Sequence, residues 1–209
     1  MAADYNVLYR CFREDSDGTG ISKGLVPPAL CQAACLFLSK NWAADGGFQE
    51  TKNAKKQMLG YQEYDIVQDR ENFDGVAQAK NTLILSRGQL QNLPALKPLL
   101  EVVETAHPYC IVTKSHALRY QTSTTTLFGI HRDNEPRSEG GSTPDAVITV
   151  SISLNDAPSS MRVCGKNVFH YNGQGCSATF VAGAFHESIE ADLSAMKLVL
   201  FLSPKGKSK

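Results

Sequence analysis

The sequence has no surplus of either charge, no long apolar run, no internal repeat and no paired-cysteine motif, and each absence removes a class of protein. Its 21 basic residues balance 21 acidic ones, so no field of the whole chain draws in nucleic acid or anionic membrane, although a local basic groove stays open. No stretch approaches the roughly eighteen apolar residues of a membrane-spanning helix. The opening residues include Asp4, Glu14, Asp15 and Asp17 without an apolar core, so a secretory signal is not expected there. The six cysteines (Cys11, Cys31, Cys35, Cys110, Cys164, Cys176) contain no Cys-x-x-Cys pair. Reduced thiols in a cytoplasmic or nuclear protein are therefore expected.

What is present is enough chain for one substantial core. At 209 residues the chain can bury about 70% of its unfolded surface, and a single domain over residues 1–209 is expected. Residues 1–115 mix helix signals with few strands. Pro27-Pro28 opens a helix whose Leu30, Ala33, Ala34, Phe37 and Leu38 repeat at helical spacing, and Cys31 and Cys35 lie on it as small hydrophobes. A second helix is expected from Leu93 to about Thr105, with Leu96, Leu99, Leu100 and Val103 on one side. Thr82–Leu85 reads as a strand between them. From residue 116 the period becomes two. Ala146, Ile148, Val150, Ile152 and Leu154 alternate with Val147, Thr149, Ser151 and Ser153, which predicts a half-buried strand. Further strands are expected at Met161–Cys164, Val168–Tyr171, Ser177–Phe185 and Lys197–Ser203, with a turn at Asn172-Gly173-Gln174-Gly175. About eight strands with helices outside them predict an α+β fold with a jelly-roll barrel, a closed or sandwiched form that protects its edges.

The chemistry gathers at His131 and Asp133, at His186, and at Lys197 in the next apolar segment. Residues i and i+2 of a strand share a face, with Cα atoms about 6.6 Å apart, and Thr126–Ile130 is β-branched and aromatic enough to carry the first pair on a strand. His186, expected to end the strand Ser177–Phe185, supplies a third ligand. Two imidazoles and one carboxylate leave open positions on a ferrous ion, which suits a bidentate 2-oxo acid and dioxygen rather than a closed structural zinc. Alone the His-x-Asp triplet is weak; the ordered set gives it weight. For Lys197 the bland reading is an edge lysine guarding against strand pairing. Arg162 and Arg119 are competing anchors, since a guanidinium binds a carboxylate in bidentate fashion. The polar loop Asn134–Pro144 either covers a substrate or is a solvated connection. His116 and His170 read as satisfied polar residues. Asp15-Ser16-Asp17-Gly18 imitates a calcium loop, but the twelfth position falls on Val26 instead of a Glu. Lys205, Lys207 and Lys209 form a short basic tail.

Leu118-Arg119-Tyr120, Gly129-Ile130-His131-Arg132-Asp133, Phe185-His186-Glu187-Ser188 and Lys197 before Leu198-Val199-Leu200-Phe201-Leu202 together resemble the double-stranded β-helix (jelly-roll/cupin-like) core of the iron(II)/2-oxoglutarate-dependent oxygenases over residues 116–203. The resemblance implies iron at His131, Asp133 and His186. It also implies a 2-oxoglutarate carboxylate near Lys197, with Tyr120 adding a hydroxyl. Within that superfamily, Ser160–Gly165, Tyr171–Gly175 and Ala182–His186 are more similar to the TET and base-J-binding-protein group than to prolyl hydroxylases, whose Gly-Gly-x-Thr segment is missing here. TET-like enzymes commonly place an Arg where this chain has Lys197. The implied activity couples decarboxylation of 2-oxoglutarate to oxidation of a C–H bond, with ascorbate as an optional reductant and 5-methylcytosine in DNA as one substrate. A protein side chain or small metabolite is the alternative substrate, and a non-catalytic jelly-roll binding module is the third reading. A monomer without membrane contact is expected.

Overall fold

Strand alternation sorts the last apolar run of the chain into two faces with different neighbours. In the computed structural model, which describes residues 21–41, 65–68, 80–120, 128–134, 145–164 and 167–206, this run is the strand Met196–Pro204. Leu198, Leu200 and Leu202 point to one side. There they join Ile148, Val150 and Ile152 and the helical residues Cys31, Ala34, Leu38, Leu99, Leu100 and Val103 in one apolar cluster. Burial of each such leucine contributes about 1.5–3 kcal/mol, so this face holds the strands and helices together.

The described elements run β1 (Ile21–Leu25), α1 (Pro28–Asn41), β2 (Asp65–Gln68), β3 (Lys80–Ser86), α2 (Arg87–Asn92), α3 (Lys97–Ala106), β4 (Cys110–Tyr120) and β5 (Phe128–His131). They continue with β6 (Ile148–Ser153), β7 (Ser159–Val163), β8 (Asn167–Tyr171), β9 (Cys176–Val181), β10 (His186–Ala191) and β11 (Met196–Pro204). A large sheet has the order β1-β9-β6-β11-β4-β3-β2 and a small one the order β5-β10-β7-β8. Neighbouring strands pair antiparallel. From β4 onward the chain deals its strands between the two sheets: β4, β6, β9 and β11 to the large one, β5, β7, β8 and β10 to the small one. This is the jelly-roll arrangement. Between the sheets, Met161, Val163, Phe169 and Tyr171 of the small sheet meet Ile21, Ala178 and Phe180 of the large one.

Several expectations shift. β4 pairs with β11 from Cys110 through Arg119, so it runs across the boundary at residue 115/116, and the strand expected at Thr82–Leu85 lies within β3. The helix opened by Pro28 buries Cys31, Ala34 and Leu38, while Ala33 faces solvent; Cys31 takes a central place in the stripe. The second helix starts at Lys97, because Leu93–Leu96 form a turn in which the amides of Leu96 and Lys97 both donate to the Leu93 carbonyl. Pro98 sits in the first helical turn, where its missing N–H costs nothing. The strand expected to be half-buried is buried on both faces: Thr149, Ser151 and Ser153 of β6 line the interior instead of meeting water. The acidic turn at residues 15–18 lies outside the described residues, as do residues 135–144 of the polar loop and 207–209 of the tail.

Candidate active site

The candidate site forms where the turn after β5 meets the turn before β10. His131 is the last residue of β5 and His186 the first of β10, and the two are direct partners in the antiparallel register. The His131 side chain, like those of Arg119 and Tyr120, lies outside the described part of the structure. Asp133 lies beyond the strand, in a turn, with its amide donating to the Ala182 carbonyl at 3.0 Å. Strand alternation therefore does not bring Asp133 to the site, contrary to the expectation; a backbone hydrogen bond between two turns does. His186 corrects another boundary. The strand expected over Ser177–Phe185 stops at Val181, and a turn closed by the Ala184 amide on the Val181 carbonyl carries the chain across to the other sheet. Gly183 permits that passage: a Cβ there would lie 3.3 Å from the Asn134 side-chain amide. β10 itself is not predicted from sequence, since His186-Glu187-Ser188-Ile189-Glu190-Ala191 lacks an apolar alternation.

The result is a buried pair. His186 Nε2 lies 3.5 Å from Asp133 Oδ2, each side chain 9% exposed. His186 Nδ1 is 3.0 Å from the Ala184 carbonyl oxygen. A carbonyl only accepts, so Nδ1 carries a proton, and Nε2, turned toward Asp133, is the nitrogen left for a metal to use. Thr149 reaches over from β6 and donates to Asp133 Oδ2 at 2.6 Å. The Phe180 ring packs against the His186 ring at 4.7 Å. Among the described side chains no three His, Cys, Asp or Glu residues gather. His186 and Asp133 supply two donors, and the backbone register sets His131 opposite His186.

Lys197 stands on β11, between β6 and β4 in the middle of the large sheet, with Ser153 and Leu118 as register partners. Only 2% exposed, it is no edge guard. Its ammonium lies 3.9 Å from the centre of the Tyr171 ring, so it projects from the large sheet to the inner face of the small one. Tyr171 donates in turn to Met161 Sδ at 3.0 Å. Arg162 is not brought into this interior: it pairs with Glu187 at 2.8 Å and is 40% exposed, on the face of β7 opposite to Met161 and Val163. Tyr120 lies two residues past Leu118 on β4. Of the remaining histidines, His170 bonds the Ser160 hydroxyl at 3.0 Å and His116 meets the Phe201 ring edge-on. Burial, then the charge of Cys35, pushes the Cys31 thiol up to about 11, which removes it as a nucleophile.

Thr149 and Tyr171 are site residues that the sequence does not single out. The available signal for Thr149 is the hydroxyl stripe Thr149, Ser151, Ser153, which local alternation assigns to solvent. Tyr171 carries no signal beyond ending a strand.

A double-stranded β-helix holding a histidine–carboxylate pair at one place and a buried cation at another defines the architectural class. The fold is that of solved 2OG-Fe(II) oxygenases. The chain is similar to a Pseudomonas putida prolyl-4-hydroxylase (TM-score 0.56, 13% identity, covering 94% of this chain and 98% of that one). It is similar also to a Trichoplax adhaerens prolyl hydroxylase in complex with a hypoxia inducible factor oxygen degradation domain peptide fragment (0.55, 14%, 100% and 99%). A third is a full-length Neurospora crassa protein in complex with alpha-KG and thymine (0.53, 9%, 99% and 84%). No protein-family model matches the sequence, and no curated protein does. At these identities the likeness is one of fold.

Proposed function

We propose that this chain is an Fe(II)- and 2-oxoglutarate-dependent dioxygenase, an oxidoreductase that oxidises a C–H bond of a second substrate while 2-oxoglutarate is decarboxylated to succinate. The observation that carries the reading is the His186–Asp133 pair at 3.5 Å with the outer imidazole nitrogen already committed to the Ala184 carbonyl. His131, Asp133 and His186 would hold the iron. Bound there, the metal supplies open positions at which the 2-oxo acid and dioxygen meet.

The chain's own residues do the rest. Thr149 keeps the Asp133 carboxylate turned toward His186. Lys197 receives the far carboxylate of 2-oxoglutarate with its ammonium supported by the Tyr171 ring, and Tyr120 adds its hydroxyl to that carboxylate. Arg162, the competing anchor, is engaged with Glu187 on the outer face, which favours Lys197. Phe180, Met161 and Val163 wall the interior with apolar surface, excluding water and strengthening each polar contact inside. Ascorbate serves as an auxiliary reductant.

The substrate class favoured is a peptide side chain or small molecule. Balanced charge imposes no phosphate-contact surface, and a peptide accompanies one of the similar folds. The second reading, a TET/base-J-like enzyme acting on 5-methylcytosine in DNA, draws support from the thymine held by another.

Anaerobic addition of ferrous iron and 2-oxoglutarate tests the site. A weak visible charge-transfer band is expected, absent in His131→Ala; no band from the parent protein would favour the non-catalytic binding module. Succinate release screened over peptides, small acids and methylated DNA then separates the substrates, and DNA binding with a steep salt slope would mark the second reading.

A further inference from the structure

The residues that flank the buried His186–Asp133 pair meet each other as well. Arg132 directly precedes Asp133, and Phe185 directly precedes His186. The guanidinium carbon of Arg132 lies 3.9 Å from the centre of the Phe185 ring, so one side-chain contact spans the two turns that carry the pair. Phe185 is 41% exposed against 8% for His186, which sets the stack toward solvent from the pair it flanks. A guanidinium is planar and always charged, and it is suited to lie on an aromatic face.

The two turns are anchored unequally. β10 pairs with β7 from His186 to Ala191, and the Phe185 carbonyl accepts the Cys164 amide at 2.7 Å, so the His186 turn is fixed to the body of the small sheet. Asp133 follows β5, the edge strand of that sheet. The register of β5 with β10 consists of His131 with His186 and Phe128 with Ser188, with a shift between them. One backbone bond, from the Asp133 amide to the Ala182 carbonyl, continues it, and Thr149 ties Asp133 to the large sheet instead of to β10. A short, irregular edge ladder is the part of a sheet that opens most readily. A side-chain contact across it therefore has a disproportionate effect on where Asp133 rests.

We propose that the Arg132–Phe185 stack is a clasp that sets the Asp133 carboxylate against His186, which makes Arg132 and Phe185 positioning residues of the metal site. This rests on the metal-site reading above and adds to it a part that neither donates to the ion nor touches the cosubstrate. The clasp keeps two donors together before the ion arrives. Without it, the ion must draw the turns together itself, and affinity falls by the cost of that ordering.

Cobaltous ion is the probe, titrated by calorimetry into the metal-free full chain. Phe185→Leu keeps an apolar side chain without the ring, and Arg132→Met keeps a long stem without the charge. Each is expected to bind cobalt about fivefold more weakly, the size of one partly exposed cation–π contact. The double variant should lose no more than either single one, because both remove the same contact. Phe185→Tyr and Arg132→Lys, which keep the ring and the cation, should recover most of the affinity. Arg162→Met breaks the ion pair with Glu187, which joins β7 to β10 and leaves the Asp133 turn alone, so it should bind cobalt as the parent does. Losses that multiply in the double variant overturn the clasp. So does parent-like affinity in Phe185→Leu or Arg132→Met, or an equal loss in Arg162→Met. A parent protein that binds no cobalt is a different failure, that of the metal site itself, and it removes the clasp with it.

Discussion

Single residues decide the chemistry here through what supports them. Thr149 is fully buried and donates to the carboxylate oxygen that faces His186. Thr149→Val keeps the shape and removes the donor, so ferrous or cobaltous affinity should fall about 10–100-fold, as when a ligand's hydrogen-bond partner is lost; calorimetric titration of the metal measures it. Lys197→Met should weaken 2-oxoglutarate by about two to four orders of magnitude, about 3–5 kcal/mol for a buried pair missing one partner, and a titration of 2-oxoglutarate reads the loss. Tyr171→Leu removes the ring beneath the ammonium, and a smaller rise, about thirtyfold for a desolvated cation–π contact of about 2 kcal/mol, is expected in the same assay. At this scale the candidate residues were legible, because His131, Asp133, His186 and Lys197 are conspicuous beside apolar strands, and the structure sets Asp133 against His186. Thr149 and Tyr171 were not, since a hydroxyl-bearing residue on a β-strand has the same local pattern whether water or the interior faces it.

Elements are joined by a few polar clamps at their ends. Arg87 opens α2 and forms a two-pronged ion pair with Glu104 of α3, while Glu104 Oε1 also accepts the Val112 amide of β4 at 2.8 Å. Burial would raise the Glu104 carboxyl, but the hydrogen bonds from Arg87 and Val112 and the charges of Arg87 and Lys205 outweigh it and hold it below its ordinary 4.5. Nearby His107, at the end of α3, is pushed below its ordinary 6.5 by burial. Both depressed values act in the same direction. Stability from each is present above the unfolded value and lost as pH falls, for His107 from about pH 6.5 downward and for Glu104 below about 4.5. A thermal melt followed against pH should show both steps, the upper one absent in His107→Gln and the lower one in Glu104→Gln. The turn after β8 is a third joint. Gly175 has φ +84°, and a Cβ there would sit 2.2 Å from the Val26 carbonyl oxygen. Its amide and carbonyl bind Ser153 and Val26. Gly175→Ala should cost about 2–4 kcal/mol through backbone strain and clash, measured by urea unfolding. The turn was visible as Asn172-Gly173-Gln174-Gly175, but the contact that makes its last glycine obligatory comes from residue 26, far along the chain.

One apolar cluster is shared between the helices and the large sheet and a second joins the two sheets, so the helical half is not separable from the later strands. A fragment of residues 116–203 would cut β4 and strip the helices from Leu198, Leu200 and Leu202. It should show no cooperative melting transition, in contrast to the full chain. Ligand binding should stabilise the assembled molecule: ferrous iron at a hundredfold excess over its dissociation constant adds about 2.7 kcal/mol, a rise of about 5–10 °C in melting temperature at this size, and 2-oxoglutarate at the same excess adds about as much again. A chelator should reverse it.

Sequence by itself determined the period-two strands, the amphipathic helices and the candidate residues His131, Asp133, His186 and Lys197, because those depend on residue type and on neighbours within a few positions. Tertiary structure alone decided that Asp133 reaches His186 from a turn, that Lys197 is interior and Arg162 exterior, and that a stripe of serines and threonine lines the interior instead of the surface. Each of these depends on which sheet faces which, and a strand carries the same alternation on either side.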